Sequence, residues 1–159
     1  HAGRTVVTAF VEALVLAVAL IAAFLFGLTR SVLRTVEILA PLVLAGLATT
    51  GTAALAGVPF NFANVITLPL LLGVGVDNGI HMAHRMEVAP PVDGNLLATG
   101  TARAIVFSAL TTVASFGSLM LSDHPGTASM GTLLTIGMVF AVAATLIVLP
   151  ALLMWRRRP

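Results

Sequence analysis

Asp77, His81 and His84 stand at i, i+4 and i+7 within the run Pro59 to Arg85, PFNFANVITLPLLLGVGVDNGIHMAHR. On a helix this spacing puts a carboxylate and two imidazoles on one face. The run is apolar and long enough to cross a bilayer, whose hydrocarbon core of about 30 Å takes about 20 residues of helix. At about 1.5 Å rise per residue, Asp77 lies about 20 Å from Asn64 and about 12 Å from Arg85. An ionised acid at that depth costs several kcal/mol, and such residues mark ion or proton pathways. The plainer role, a carboxylic acid kept neutral by burial and hydrogen-bonded to a neighbour, is outweighed by that cost. The chain has no Lys and no Arg within this run before its end, so His81, one turn away, is the cation-capable neighbour. Two states are then accessible: Asp77 protonated beside neutral His81, or Asp77 ionised beside charged His81. The chemistry this predicts is uptake and release of a proton. A partner cation supplied by sequence outside this chain is equally allowed.

Gly73 lies one turn before Asp77, and Gly75 and Gly79 form a small-xxx-small pair. Small residues let helices approach closely in lipid, so these three are expected to pack helices around the carboxylate and enclose it in protein. Pro69, two turns earlier, removes a backbone hydrogen bond and bends the helix. On the fourth apolar run, Ser108, Thr112 and Ser115 form one stripe and Thr111, Ser115 and Ser118 another. Thr111 and Thr112 are the candidate hydrogen-bonding neighbours of the acid. Their commoner role is to bond their own backbone. Asp77, His81 and His84 are also residue types that ligate zinc or iron, but no second cluster completes such a site, so neither metal nor cofactor is expected. Glu12 is about 9 Å into its helix and reaches the interface. GVGVDNG lacks the Lys and Ser/Thr of a phosphate loop, and no nucleophile sits beside a base, which argues against an enzyme.

The elements that must position these residues are membrane spans. Hydrophobic residues make up 58% of the chain and charged ones 9%, where soluble domains carry about 25% charged; mean hydropathy is +1.08. The apolar runs predict an all-α integral membrane protein with five transmembrane helices, at about 6–28, 36–55, 61–85, 102–121 and 131–155. The connection at about 87–101 is broken by Pro90-Pro91 and Asp93-Gly94. All basic residues are Arg and sit at run ends, which is topology information rather than a nucleic-acid surface. Arg30, Arg34, Arg85, Arg103 and Arg156 to Arg158 all fall on one side of such a bundle, with Arg4 alone opposite. Cytoplasmic loops collect Arg, so the N-terminus is expected outside, the tail and the 87–101 loop inside. There is no Cys, hence no disulfide. An odd number of spans and an opening without Met are expected of a piece of a longer protein.

NFANVITLPLLLGVGVDNGIHMAHR, then ARAIVFSALTTVASFGSLML, then GTLLTIGMVFAVAATLIVLPALL together resemble the resistance-nodulation-division (RND) superfamily, nearest to hopanoid-biosynthesis-associated RND transporters and the MmpL lipid exporters. The resemblance covers nearly the whole chain and implies a half bundle of the sterol-sensing type, helices two to six of one six-helix half. By that resemblance Asp77 matches the acid that exchanges protons to drive transport. Many relatives follow it with Tyr; here Asn78 stands instead, so that hydroxyl's role does not carry over. The implied function is proton-motive-force-driven movement of hydrophobic lipids such as hopanoids across a bacterial inner membrane. The implied partners are lipid, protons, the membrane, and the other half and periplasmic domains of the same transporter, with a homo-oligomer left open. Rival readings are a non-pumping sterol- or lipid-sensing module and an RND-type protein-translocation component.

Overall fold

The computed structural model describes residues 2–59, 61, 64, 66–89 and 96–156, with the side chains of residues 2–6 and 10 left aside. Among them there is no strand. Six helices follow one another: α1 Ala2–Thr29, α2 Val32–Leu55, α3 Thr67–Val88, α4 Gly100–Leu119, α5 Pro125–Ala143 and α6 Leu149–Arg156. Four stretches are long and apolar enough to cross a membrane: Val7–Thr29, Val32–Leu55, Gly100–Leu119 and the joined α5–α6 unit Pro125–Arg156. The helix carrying Asp77 is not among them. Its 22 residues make about 33 Å of helix, but Asp77, Asn78, His81, His84, Arg85 and Glu87 lower its apolarity.

Local chemistry sets the joints. Arg30 adopts φ 48°, in the left-handed region that non-glycine residues seldom enter. Ser31 then turns extended and its Oγ accepts from the Arg34 N–H at 3.5 Å, starting α2. Leu14 and Val18 of α1 thereby lie against Val43 and Leu47 of α2. The α3 helix begins at Thr67, later than the expected 61, because Asn61 and Asn64 compete for the backbone. Asn64 Oδ1 accepts from the Asn61 N–H at 2.8 Å and Asn61 Oδ1 from the Asn64 N–H at 3.1 Å. Side chains bonding locally in this way offer the chain an alternative to helix. Both amides also donate to Ser129 Oγ, at 2.8 and 3.3 Å, tying this turn to the first residues of α5. That helix in turn starts at Pro125, ahead of the expected 131, with His124 Nδ1 accepting from the Thr127 N–H at 3.4 Å and proline at the first helical position, where its missing N–H costs nothing.

The last span is not one uniform helix. Ala144–Val148 form a turn of π-helix between α5 and α6, just before Pro150, which cannot donate a backbone bond. Packing centres on α5, which touches α2, α3 and α4. Gly137 allows the closest approach: a Cβ there would stand 2.6 Å from Leu71 Cδ2 of α3. One apolar cluster joins Met82 and Met86 of α3 to Ala102 and Ile105 of α4 and Leu149 and Leu153 of α6. A second joins Leu25 of α1, Ile38 and Leu42 of α2, and Leu72 and Val76 of α3. Both use one side of α3, which decides where the other side points.

Candidate functional site

The inward side of α3 holds Leu68, Leu71, Leu72, Gly75, Val76, Asn78, Gly79, Met82 and Met86. The opposite side of this helix, at 3.6 residues per turn, carries Gly73, Asp77, His81 and His84. Side-chain exposure is 74% for Asp77 and 67% for His81. The expectation that this five-helix unit encloses the carboxylate is therefore corrected. The small residues expected to do so pack elsewhere: a Cβ on Gly75 would stand 3.0 Å from Leu42 Cδ2, and one on Gly79 3.0 Å from Ile38 Cγ2, so both bring α2 against the side opposite Asp77. A Cβ on Gly73 would meet nothing within 4 Å, and that residue leaves open space beside the acid. Asn78 is buried and faces inward, away from the carboxylate.

Asp77 and His81 do meet. His81 Nε2 lies 3.5 Å from Asp77 Oδ1, one turn apart on the same helix. The contact becomes an ion pair when the imidazole is protonated. Around Asp77, the α1 residues Leu20, Ile21 and Phe24 and the α3 residues Gly73, Val76 and Ile80 line an open furrow of about 340 Å³.

The two threonines are not brought to this pair. Thr111 Oγ1 donates to Ser108 O at 2.7 Å and Thr112 Oγ1 to the same oxygen at 2.9 Å. Ser115 and Ser118 likewise donate to carbonyls of their own helix, at 2.8 and 2.7 Å. Among the described residues no hydrogen bond is seen between any of them and Asp77 or His81. The reason is that α4 packs chiefly on α5 and meets α3 through Ala102 and Ile105, near its start.

A second acid, not anticipated from sequence, lies on α2. Glu37 is buried, 10% exposed in its side chain, and both its oxygens accept from Arg156 Nη1 at 3.0 Å. Nearby, Arg34 Nη1 stands 3.3 Å from Glu87 Oε2. With Thr29 and His84, residues Arg34, Glu37 and Glu87 line a cavity of about 310 Å³ where α1, α2, α3 and α6 converge. The signal for the Glu37 pair was in the sequence: an acid near the start of the second apolar run, and an arginine cluster that charge topology puts on the same membrane side.

A family model described as the MMPL family matches residues 8–157. The chain is 42% identical over 151 residues to "Hopanoid transporter HpnN" of Rhodopseudomonas palustris (strain TIE-1), covering 95% of this chain and 17% of that protein. It is 34% identical over 153 residues to "Hopanoid transporter HpnN" of Burkholderia multivorans (strain ATCC 17616 / 249), covering 96% of this chain and again 17% of the relative. The chain thus spans about one sixth of the length of these curated relatives. No solved structure matches it.

Proposed function

This chain belongs to the MMPL family of RND-type membrane transporters, and we propose that it is the membrane-embedded, proton-relaying part of a transporter driven by the proton-motive force and moving hydrophobic lipids such as hopanoids. The observation that carries this reading is the Asp77–His81 pair, held 3.5 Å apart halfway along a helix and turned outward from the bundle. Bare lipid is a poor environment for such a pair, since an ionised acid there costs several kcal/mol. Further protein of the same transporter covers it, and relatives almost six times as long as the matched region have the sequence to do so. Within that covered face Asp77 is the protonation site and His81 its modulating partner. Thr111 and Thr112, the candidate hydrogen-bonding neighbours of the acid, bond Ser108 O of their own helix and are assigned no step in this relay.

Protonation removes a charge from a low-dielectric interface, so the helix packing that is cheapest with Asp77 neutral differs from that with Asp77 ionised. Helix movement between those packings is the step that drives substrate domains outside this chain. No covalent chemistry is asked of any residue; the role is transport, not catalysis. The arginine-bearing ends near Arg34, Arg85, Arg103 and Arg156 face the cytoplasm of a bacterial inner membrane, and the start of α1 faces the periplasm.

Asp77→Asn in the intact transporter, reconstituted in vesicles, tests the reading. Substrate movement is expected to stop with membrane insertion unchanged; undiminished proton-dependent transport would overturn it. The apolar furrow beside Asp77 favours one second reading, a lipid-sensing module that binds without pumping. In that case Asp77→Asn is tolerated, while bulk added in the furrow, such as Gly73→Leu, abolishes lipid crosslinking.

A further inference from the structure

Asp77 borders two very different spaces. The furrow it shares with α1 is walled by Leu20, Ile21 and Phe24, and α1 brings no titratable side chain into it. A bound water needs two to four polar partners, and these walls offer none besides the carboxylate itself. On that side, then, α1 offers a proton leaving Asp77 no titratable group to accept it. On its own helix it has one, His81 Nε2 at 3.5 Å.

Three residues beyond His81, on the same face, His84 opens onto the other space, the cavity of about 310 Å³. Ile80 lines both, so the two spaces adjoin. This second cavity has a mainly apolar wall with Thr29, Arg34, Glu37, His84 and Glu87 set in it, and it is large enough for several waters, each taking about 30 Å³ in the liquid. Its charged groups are engaged with one another: Arg34 with Glu87 at 3.3 Å, and Glu37 with Arg156 at 3.0 Å. Guanidinium groups do not release protons, and both carboxylates already have guanidinium partners. Facing His84 are then Arg34 and Glu37 from α2 and Glu87 from its own helix, with Thr29 the uncharged contribution of α1. Imidazole is the side chain suited to passing protons near neutral pH, and His84 is the imidazole that this cavity holds.

We infer that His84 is the outlet of the relay. The step rests on the proton-relay reading above. Asp77 gives its carboxyl proton to His81 Nε2; His81 passes it on through water to a ring nitrogen of His84, its neighbour three residues on along the same helix face; His84 releases it to water in the Arg34-lined cavity. Each imidazole ends neutral and Asp77 ends ionised, ready for the next proton. The apolar furrow prevents a shortcut along α1. The two ion pairs keep the outlet cavity electrically balanced, so a proton arriving at His84 is not held there by a lone carboxylate.

The test uses the intact transporter in hopanoid-containing vesicles with a trapped pH dye and an imposed pH gradient. His84→Gln is expected to lower proton flux about a hundredfold, the scale of a lost proton-transfer group. Added 4-methylimidazole on the Arg34 side is expected to restore it, which a merely structural defect would not allow. His84→Asn serves as the second variant should the glutamine form fail to insert. Unchanged flux in an inserted variant, or a loss that 4-methylimidazole does not repair, overturns the outlet. Asp77→Asn, run in parallel, separates the two ideas. Full flux in Asp77→Asn sinks the relay reading itself, whereas no flux there combined with normal flux in His84→Gln sinks the outlet alone.

Discussion

Two acids in this chain each have a basic partner, and their settings are opposites. Glu37 is 10% exposed and held by two 3.0 Å bonds from Arg156, a residue 119 positions away on another helix. Asp77 is 74% exposed and touches one imidazole of its own helix at 3.5 Å. The first partner is permanently charged; the second is charged only when protonated. A pair of the first kind ties α2 to α6 and resists any change of charge, because removing Arg156 leaves the Glu37 carboxylate buried alone. A pair of the second kind contributes little to folding and is free to change state. Burial and a fixed partner suit Glu37 to a structural role, whereas a switchable partner is what the proposed relay asks of Asp77.

The sharpest way to break this comparison is to neutralise each acid in the intact transporter. Asp77→Asn is expected to lower transport by at least about a hundredfold at normal expression, and Glu37→Gln to leave transport per folded molecule within about threefold. Equal losses from both, measured as substrate efflux from vesicles, would erase the distinction. Stability should show the reverse order. A double-mutant cycle over Glu37→Gln and Arg156→Gln, read from thermal or denaturant unfolding in detergent, is expected to give a coupling of about 2 kcal/mol. The cycle over Asp77 and His81 should stay below about 1 kcal/mol, as for exposed pairs.

The two faces of α3 give a finer test. Gly79→Leu must displace Ile38 and Leu42 and is expected to cost about 1–3 kcal/mol. Gly73→Ala meets open space within this unit, where removing glycine from a helix interior is worth about 0.5–1 kcal/mol; in the intact transporter, with further protein over this face, that gain is expected to be lost. A destabilising Gly73→Ala in the full-length protein would show that the face is tightly covered there. Smallest of all, Thr111→Val and Thr112→Val are expected to change transport less than about twofold, since each hydroxyl bonds a carbonyl of its own helix. A large loss would place one of them in the relay.

Periodicity alone was enough to align Asp77, His81 and His84 on one face, because 3.6 residues per turn leaves no freedom once the segment is helical. Apolar run length was likewise enough for a helical membrane protein. Helix starts were less legible: α3 begins at Thr67 rather than 61 because paired Asn61 and Asn64 side chains capture the backbone, a contact that hydropathy does not see. The Gly75–Gly79 pair was rightly a close-approach motif, but spacing gives no information about which neighbour approaches. It is α2, on the side away from the acid.

What the amino-acid order determined was therefore the material and the alignment: helices of membrane length, one acid among apolar residues, and an imidazole one turn from it. What tertiary packing decided was direction. The buried surface of α3 is its larger apolar side, so Leu71, Gly75, Met82 and Met86 turn inward and Asp77 turns out. The same packing brought Glu37 to Arg156 and walled the cavity that His84 lines. Local spacing fixes angles along a single helix, but only contact between helices, driven by the fit of apolar side chains, sets which angle faces the core.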